Sequence, residues 1–344
     1  MTERTIGRVA MLTPFAFPSP SGNAVTVERI AAGLSARGIE PRVWDLSATD
    51  AATVEREVRQ WSPALVHAFH AFHAGPLGLR VARALGLPLI VTLTGTDANH
   101  DISDPQRGPT VRDVLEGAAA LTVFHGSVAA RVSAARPELA LRVVVIPQAV
   151  VFPPSEGPAP PRARGPVILF PAGIRPVKRP LMPLGPLDTM AARHSDFELR
   201  YVGPVLDAEE GRKLFLGIES RPWCRYLGAV PHARIPALLH AADIVLNCSI
   251  SEGGMPNSVL EALTLGRAVL ASDIEGNRAL IEDGVTGLLF ADATELAAQA
   301  ERLLEDGELR ARLGAAGRTR ALVFRPEAEI DGYVRLFDRL APAP

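Results

Sequence analysis

Two glutamates and a pair of glycines lie close together in the segment SISEGGMPNSVLE, at residues 249–261. An apolar run ends just before this segment, and Glu252 follows in a glycine-bearing loop. A helix is predicted to begin near Pro256 or Asn257, because proline suits the first turn of a helix. The N–H groups of a helix start bind anions, and Glu261 lies about one turn into the helix. Carboxylates on either side of an anion site fit a ligand that also presents hydroxyls, as a sugar and a ribose do.

Each glutamate has a plainer interpretation when it is taken singly. Glu252 is also compatible with a surface loop acid, and Glu261 with a solvated helix residue. The order of strand, Gly-Gly loop, proline and helix around them favours a binding site.

A pair of cations follows another apolar run, in PAGIRPVKRP at residues 171–180. Because this run is predicted to be the first strand of the second half, Arg175 and Lys178 would lie at a strand C-terminus, with Gly173 in the same loop. Arginine holds a diphosphate by bidentate hydrogen bonds and lysine as a point charge. Both would stabilise negative charge that develops on a departing nucleoside diphosphate, and so act on rate as well as binding. A solvated basic loop is the alternative.

Short apolar runs alternate with helix-like segments in both halves of the chain. This alternation is typical of βαβ units, so the sequence predicts an α/β fold with two doubly wound, Rossmann-like parallel sheets. Ligands in such sheets bind at the carboxyl ends of strands, and two such domains would face a central cleft. The predicted strands are Arg8–Leu12, Pro41–Asp45, Ala64–His67, Pro88–Leu93, Leu121–Phe124, Arg142–Ile146, Val167–Pro171, Phe197–Val202, Arg225–Leu227, Ile244–Asn247, Ala268–Ala271 and Gly287–Phe290.

A proline-rich stretch, PPSEGPAPPRARGP, separates the two halves at residues 153–166. It can neither pack nor continue regular structure, so it is predicted to be a linker. We therefore expect an N-terminal, acceptor-side domain over residues 1–152 and a C-terminal donor domain over residues 167–325. Residues 326–344 would add a C-terminal helix that packs back on the N-terminal domain.

The segment from about Pro171 to Phe290 resembles the donor domain of the GT4 family of retaining glycosyltransferases, which have the GT-B fold. Within the family the chain is most similar to the short glycosyltransferase 1 domain-containing proteins, through SGNAVT, GTDANHD and IEGN. It also resembles synthases that join a sugar nucleotide to selenophosphate, through LTGTD, LGAVPHA and EGG. The family motifs of the donor half are AGIRPVK, YVGP, YLGAVPHARIPALLHAADIVLNCS, SEGGMPNSVLEAL and DGVTGLLF.

The resemblance implies a role for each matching residue. Arg175 and Lys178 would hold the donor diphosphate, Glu252 would contact hydroxyls of the donor sugar, and Glu261 would accept hydrogen bonds from the ribose. Backbone N–H groups of the loop would bind sugar and phosphate. The loop and helix start involved are Gly253, Gly254, Met255, Pro256 and Asn257.

The sequence departs from the family pattern at three places. Eight residues separate Glu252 from Glu261, one more than is usual, so the loop would bulge and Glu252 would be displaced. The spacing of Arg175 and Lys178 is shorter than the usual phosphate clamp. An acidic residue common in the family is replaced by Ala279. These differences concern individual donor contacts and leave the enzyme class unchanged.

Two segments of the first half end strands at the edge where ligands bind. In SGN at residues 21–23, Gly22 lets the backbone approach a ligand closely and Asn23 would cap a helix. In relatives this loop lies near the donor phosphate or the acceptor. In TGTD at residues 94–97, threonine stands first where many family members carry histidine, so Asp97 is the candidate for acceptor positioning or proton acceptance. A helix cap and a turn cap are the alternatives.

Histidine recurs at every third residue in HAFHAFHAG, as His67, His70 and His73. Three histidines and a water make a catalytic zinc pattern, but these leave a strand for a loop and need not share a face. We favour structural roles for them and for His125, while His73 and Gly75 resemble acceptor-side loops of the family. No metal is expected, and no Asp-x-Asp motif is present.

The bulk composition excludes several classes of function. The chain has 344 residues, 36 Lys plus Arg and 38 Asp plus Glu, so nucleic acid is an unfavoured partner. Two cysteines argue against a disulfide framework, and the start MTERTIGRVAML lacks the apolar core of a secretion signal. The longest apolar stretch contains Gly86 and Pro88 and is too short to span a bilayer. A cytoplasmic protein is expected.

Together these features predict a metal-independent retaining glycosyltransferase that needs no cofactor. It would move a hexosyl or related sugar from a nucleotide-sugar donor, favoured to be UDP-linked, to an acceptor that the sequence leaves open among lipid, sugar, small metabolite and selenophosphate. The alternatives are a sugar-nucleotide enzyme of the same fold, such as an epimerase or a selenosugar synthase, and a non-catalytic sugar-nucleotide-binding protein. Fold by itself does not choose among them.

Overall fold

A computed structural model describes residues 7–19, 22–154, 163–194, 196–252 and 254–340. It forms two compact units, one made of the described residues of Met1–Ala149 and Phe324–Pro344 and the other of those of Val150–Val323. Among the described residues each unit carries a six-stranded sheet in which every strand pair is parallel. The predicted α/β fold with two parallel sheets is therefore confirmed.

The sheet of the first unit has the strand order β2-β1-β3-β4-β5-β6. Its central strands are apolar on both faces because helices cover both sides of a parallel sheet. The strands are β1 Arg8–Thr13, β2 Glu40–Asp45, β3 Leu65–Phe69, β4 Leu89–Thr92, β5 Ala120–Val123 and β6 Val143–Val145. The helices before the linker are α1 Gly22–Ala36, α2 Ala51–Trp61, α3 Gly75–Leu85, α4 Thr96–Asn99, α5 Gly108–Gly117 and α6 Gly126–Ala135.

The sheet of the second unit has the strand order β12-β11-β10-β7-β8-β9. The order reverses between β7 and β10, and ligands of open α/β sheets bind at such a switch point. The strands are β7 Val167–Pro171, β8 Glu198–Val202, β9 Cys224–Tyr226, β10 Ile244–Asn247, β11 Ala268–Ser272 and β12 Leu288–Phe290. The helices are α7 Leu184–Ala191, α8 Ala208–Glu219, α9 Ile235–His240, α10 Asn257–Thr264, α11 Glu275–Arg278, α12 Ala293–Glu305 and α13 Gly307–Ala321.

The last helix, α14 at Pro326–Leu340, lies on the first unit and packs against α1. The Arg29 guanidinium on α1 donates from Nε and Nη2 to the Glu329 carboxylate on α14, both at 2.8 Å. Tyr333 and Phe337 of α14 are fully buried in the same core as β1 and β3. The chain thus returns to its first unit after completing the second. None of the described helices is both long and apolar enough to cross a lipid bilayer.

The predicted linker at residues 153–166 lies between β6 and β7 in the sequence. Residues 155–162 of it fall outside the described part of the chain. Its two ends, Pro153 and Pro154 on one side and residues 163–166 on the other, contain no helix or strand.

Candidate active site

The loops that follow β7 and β10 lie side by side at the carboxyl edge of the second sheet. The Ile250 amide donates to the Val177 carbonyl at 2.9 Å, and the Arg179 Nε donates to the Cys248 carbonyl at 2.7 Å. Arg179 has φ 45°, a left-handed backbone conformation that residues other than glycine rarely adopt. One backbone hydrogen bond and one side-chain hydrogen bond therefore hold the two loops together.

Lys178 and Glu252 form an ion pair between these loops. The Lys178 Nζ lies 2.5 Å from the Glu252 Oε1, and the side chains are only 14% and 11% exposed. The same Oε1 accepts from the Ser249 Oγ at 2.6 Å and from the Asn247 Nδ2 at 3.2 Å. The sequence predicted both residues at this edge but assigned them separate ligand groups, whereas the structure pairs them with each other.

The pKa of Glu252 reflects two opposing effects. Burial raises the pKa of the carboxyl, but the Lys178 charge and the hydrogen bonds from Lys178, Ser249 and Asn247 outweigh it and hold the pKa below its usual value. Glu252 is therefore an ionised acceptor at neutral pH. It can accept hydrogen bonds from ligand hydroxyls but has no proton to give.

Arg175 lies one turn away from this pair and differs from it in exposure. Its side chain is exposed, and it forms no hydrogen bond or ion pair with any residue in the described ranges. Arg175 is thus the cation of this edge that is available to a ligand phosphate. Lys178 can also meet an anion, because lysine has three donors and the Glu252 Oε1 takes one of them.

Gly276 on α11 supports the loop that carries Glu252. A Cβ atom at this position would lie 2.5 Å from the Gly254 carbonyl oxygen and 2.6 Å from the Glu252 Cβ. No heavier side chain fits such an approach unless the loop moves. The close approach of Gly276 therefore fixes the position of this loop relative to α11.

Asn277, the next residue, joins the ends of two strands. Its Nδ2 donates to the Ser272 carbonyl at 2.8 Å, and the Ser272 Oγ donates to the Ser249 carbonyl at 2.6 Å. Asn277 is fully buried, and Ala279, two positions further on, is 3% exposed. This buried side-chain amide, together with Ser272, ties the end of β11 to the loop after β10 and so positions that loop.

The helix start that was predicted to bind sugar and phosphate lies at the expected place. Pro256 immediately precedes α10, which begins at Asn257, so proline stands at the cap rather than inside the first turn. Met255 is 4% exposed, so its side chain packs inside the unit. Gly254 is buried, and Gly253 lies outside the described residues. Ligand roles for these residues stay predictions.

Glu261 is buried within α10 instead of solvated, and it has a partner that sequence reasoning missed. The His232 Nε2 lies 2.8 Å from the Glu261 Oε1, with the side chains 19% and 9% exposed. An ionised carboxylate only accepts, so the His232 Nε2 carries the proton and donates it. The sequence signal for this contact was the polar residue His232 within the motif LGAVPHA, in the loop after β9.

Gly173 contributes close packing to the loop after β7. A Cβ atom there would lie 2.6 Å from the Leu206 Cδ1 in the loop after β8. In that second loop Gly203 has φ 144°, and a Cβ on it would lie 2.3 Å from the Ala172 carbonyl oxygen. Glycine at these positions lets the two loops approach, and a contact from Gly173 to a ligand stays a prediction.

In the first unit, Asn23 joins the start of α1 to the end of β1. Gly22 opens the helix and is exposed, so Asn23 lies inside the first turn rather than at the cap position that was expected. The Asn23 Nδ2 donates to the Thr13 Oγ1 at 2.9 Å, and Thr13 in turn donates to the Phe15 carbonyl at 2.9 Å. Ser21, the first residue of the predicted motif, lies outside the described residues.

Asp97 lies in α4, shortly after the end of β4, and is 1% exposed, and backbone amides surround its carboxylate. Oδ1 accepts from Gly95 at 2.7 Å, from Ala98 at 3.0 Å and from Thr94 at 3.1 Å. Oδ2 accepts from the Ala71 amide at 2.9 Å, which ties the loop after β3 to the loop after β4. This geometry favours the turn-capping and positioning interpretation, and proton acceptance by Asp97 stays a prediction.

His70 lies beside Asp97 in a backbone conformation with φ 87°. Its Nδ1 accepts from the Phe72 and His73 amides at 3.2 and 3.3 Å, so Nε2 carries the proton and donates to the Thr96 Oγ1 at 2.9 Å. Strain of this kind in a non-glycine residue marks a segment held by its surroundings. Burial lowers the pKa of the neighbouring His73.

His67 lies inside β3 and does not share a site with His70. Its Nε2 contacts the Thr92 Oγ1 at 2.7 Å, and burial lowers the pKa of His67 to about 3. In the described part of the chain, the one group of three side chains close enough to hold a metal is instead His194, Glu301 and Glu305. His125 caps α6, accepting from the Ser127 amide at 3.2 Å. The zinc interpretation of HAFHAFHAG is not supported.

Known proteins resemble this chain over part or most of its length. Residues 165–306 match the family model described as glycosyl transferases group 1. The glycosyltransferase 1 domain-containing protein 1 of Xenopus tropicalis is 25% identical over 306 residues, which cover 85% of this chain and 87% of that protein. The D-inositol 3-phosphate glycosyltransferase of Frankia alni is 28% identical over 304 residues, which cover 80% of this chain and 74% of that protein.

One solved structure shows how far the fold extends. The Anabaena protein HepE, in complex with UDP-glucose, matches 97% of this chain and 100% of its own with a TM-score of 0.75 and 17% identity. Similarity at this level of identity concerns the fold, because one fold hosts many chemistries. Both units of the chain therefore have counterparts in that structure.

Proposed function

We propose, from the premise that residues 165–306 form a glycosyltransferase group 1 domain, that this chain transfers a sugar from a UDP-sugar to an acceptor with retention of anomeric configuration. The chain is a glycosyltransferase, and its fold is the predicted GT-B type. Uridine is proposed as the base because HepE, which shares the fold, was solved with UDP-glucose. Retention is proposed from the resemblance of SEGGMPNSVLEAL to the retaining family.

One observation carries the donor site. Two carboxylates and a ligand-accessible cation lie at the switch point of the second sheet, on the loops after β7 and β10 and on α10. Glu252 would accept hydrogen bonds from sugar hydroxyls, Glu261 from the ribose, and Arg175 would hold the diphosphate. Carboxylates beside a phosphate-binding cation make chemical sense for a ligand that carries hydroxyls as well as phosphates.

The rate would come from stabilisation of the leaving group. When the bond between the anomeric carbon and the phosphate oxygen breaks, negative charge grows on the nucleoside diphosphate. Arg175 and Lys178, preorganised at the strand end, would stabilise that charge more strongly in the transition state than in the bound donor. The acceptor would attack from the face that the diphosphate leaves, which retains the configuration, and its proton would pass to the departing diphosphate oxygen.

The acceptor is assigned to the first unit. His70, Thr96 and Asp97 lie at the carboxyl ends of β3 and β4, where ligands of parallel sheets bind. The His70 Nε2 donates to Thr96, whereas the Asp97 carboxylate accepts hydrogen bonds from backbone amides. Both His70 and Asp97 would therefore position the acceptor indirectly, through the loops that they hold. Proton acceptance by Asp97 is not part of this proposal.

Calorimetric titration of UDP, GDP and ADP into the wild type and Glu261→Ala tests the donor site. We expect one nucleotide to bind with micromolar affinity, and the variant to lose about 1–3 kcal/mol through missing hydrogen bonds to a charged group. Release of free nucleotide from the matching nucleotide sugar, with and without candidate acceptors, then separates a transferase from a non-catalytic binder. If none of the three nucleotides binds the wild type, the donor site is wrong.

A further inference from the structure

His232 approaches Glu261 from a separate part of the chain. It opens a short 3-10 turn, His232–Arg234, between β9 and α9, whereas Glu261 lies on α10. The two residues are 29 positions apart in the sequence. Their contact joins the loop after β9, an edge strand of the sheet, to α10, which follows the switch-point strand β10. The pair is also partly open, because 19% of the His232 side chain and 9% of the Glu261 side chain are exposed.

The carboxylate of Glu261 is occupied on one side only. Oε1 accepts from His232, while Oε2 forms no hydrogen bond with any residue in the described part of the chain. The helix residues on both sides of Glu261 are buried and apolar, at Val259, Leu260, Ala262 and Leu263. A charged group in such surroundings lowers stability relative to an apolar one, so a ligand contact is a better reason for it than folding.

We propose that His232 is a positioning residue, which fixes the rotamer of Glu261 so that the carboxylate meets the ribose diol of the donor nucleotide. The inference rests on the proposed function, because it needs a nucleotide at this site. A carboxylate oxygen accepts two hydrogen bonds, so Oε1 can hold His232 and one ribose hydroxyl while Oε2 takes the other. With one fixed donor on Oε1, the side chain loses little further rotamer freedom when the ligand arrives.

This role predicts selectivity for ribose over deoxyribose that depends on His232. The probes are the nucleoside diphosphate that binds the wild type, chosen from UDP, GDP and ADP, and its 2′-deoxy form, each titrated calorimetrically. His232→Phe keeps a ring of similar size and removes the donor. His232→Gln keeps an N–H donor at a similar reach and serves as the conservative rescue.

We expect the wild type to bind the ribose form about tenfold more tightly than the deoxy form, as for loss of one hydrogen bond to a charged group. His232→Phe should lower the affinity for the ribose form by most of that factor and leave the deoxy form nearly unchanged, so the ratio falls towards one. His232→Gln should retain most of the ratio. A residue that only supports the fold would lower both affinities together.

Three results would overturn the inference, and they differ in what else they affect. If His232→Phe keeps the wild-type ratio, Glu261 is oriented without His232, and the proposed function stands. If the wild type binds both forms equally, Glu261 does not meet the 2′-hydroxyl, and the phosphate contacts remain the basis of the donor site. If the wild type binds no nucleoside diphosphate, the inference fails together with the proposed function.

Discussion

Lys178 and Arg175 carry the same charge three positions apart, yet the structure gives them different surroundings. Lys178 is paired with the nearly buried Glu252, and Arg175 is exposed without a partner among the described residues. The sequence assigned both to one diphosphate clamp. Because a charge left alone in a poorly solvated place costs free energy, the two positions should respond differently to the same substitution.

Lys178→Met should destabilise the second unit, because the nearly buried Glu252 carboxylate would lose the charge it is paired with, and its contacts with Ser249 and Asn247 are neutral. We expect a loss of about 2–3 kcal/mol in the free energy of unfolding by urea. Arg175→Met is the matched control, with little change in stability but a clear loss of diphosphate affinity. Equal stability of the two variants would contradict the ion pair.

His67 provides a pH-dependent prediction. Burial lowers the pKa of its imidazole from 6.5 to about 3, so between these values the unfolded chain binds a proton that the folded chain does not. Stability should therefore fall as the pH drops below 6.5, by about 1.4 kcal/mol for each pH unit from this group. His67→Gln cannot take up that proton, so its stability should depend less on pH.

Urea unfolding of both proteins between pH 8 and pH 5 measures this difference. Replacing Trp223 with phenylalanine in both backgrounds leaves Trp44 and Trp61, both in the first unit, as the fluorescent reporters. Other titrating groups act on both proteins alike, so the difference in slope isolates His67. Identical slopes would mean that His67 titrates in the folded state much as it does in the unfolded chain.

At the scale of helices and strands, the sequence was sufficient to locate the sheets. Each predicted strand overlaps an observed one, from Arg8–Leu12 at β1 to Gly287–Phe290 at β12. Parallel strands that are covered on both faces are continuous apolar runs, and glycine or proline bounds many of them. The sequence pattern of a strand is therefore local and can be recognised without knowing its tertiary contacts. The start of α10 at Asn257 was predicted for the same reason.

The contacts within the candidate site could be predicted only in part. Motif positions placed Lys178 and Glu252 at one sheet edge, but their pairing depends on how two loops 74 residues apart are packed. His232 and Glu261 meet because the turn after β9 returns to α10, which no local pattern encodes. Asp97 is similar, since an amide donor of its carboxylate, Ala71, comes from a different loop.

Gly276→Ala should displace the loop after β10, which carries Glu252, without itself touching a ligand. The added methyl carbon would lie 2.5 Å from the Gly254 carbonyl oxygen, which is backbone and cannot rotate away. The loop must shift, and displacement of binding groups by about 1 Å can cost about a hundredfold in rate. We expect a loss of at least tenfold in nucleotide affinity or transfer rate.

Gly185→Ala is the control for this substitution. Gly185 lies on α7 of the same unit, and a Cβ atom there would meet no atom within 4 Å. Alanine also favours a helix over glycine, by about 1 kcal/mol in a helix interior. Affinity should therefore be unchanged and stability equal or higher. Parallel losses in the two variants would show that the loop carrying Glu252 is not specifically involved.

On the scale of the whole molecule, the two ends of the chain belong to one unit. The contact between Arg29 and Glu329 spans 300 residues of sequence, and their side chains are 6% and 0% exposed. In chain order, the first unit is therefore complete only when α14 is reached, after all of the second unit. The helix α14 therefore belongs to the core of the first unit, with Tyr333 and Phe337 inside it.

Glu329→Ala should destabilise the first unit by about 3–5 kcal/mol, because it leaves the Arg29 charge buried without its partner. Asp331→Ala is the matched control on the same helix. Asp331 pairs with Arg37, which follows the end of α1, and the two side chains are 40% and 34% exposed, so the loss should stay below about 1 kcal/mol. Hydrogen exchange measures both, with lowered protection expected in β1, β3 and α1 for Glu329→Ala and with β7 and β10 as internal references.

A double variant separates the buried charge from the helix contact itself. In Arg29→Met with Glu329→Leu, both charges are replaced by apolar groups of similar length, and buried ion pairs exchanged in this way are often neutral or stabilising. We expect protection of β1 and β3 to return to the wild-type level. If the double variant is as unstable as Glu329→Ala, the guanidinium–carboxylate geometry itself, and not the removal of an unpaired charge, holds α14 on α1.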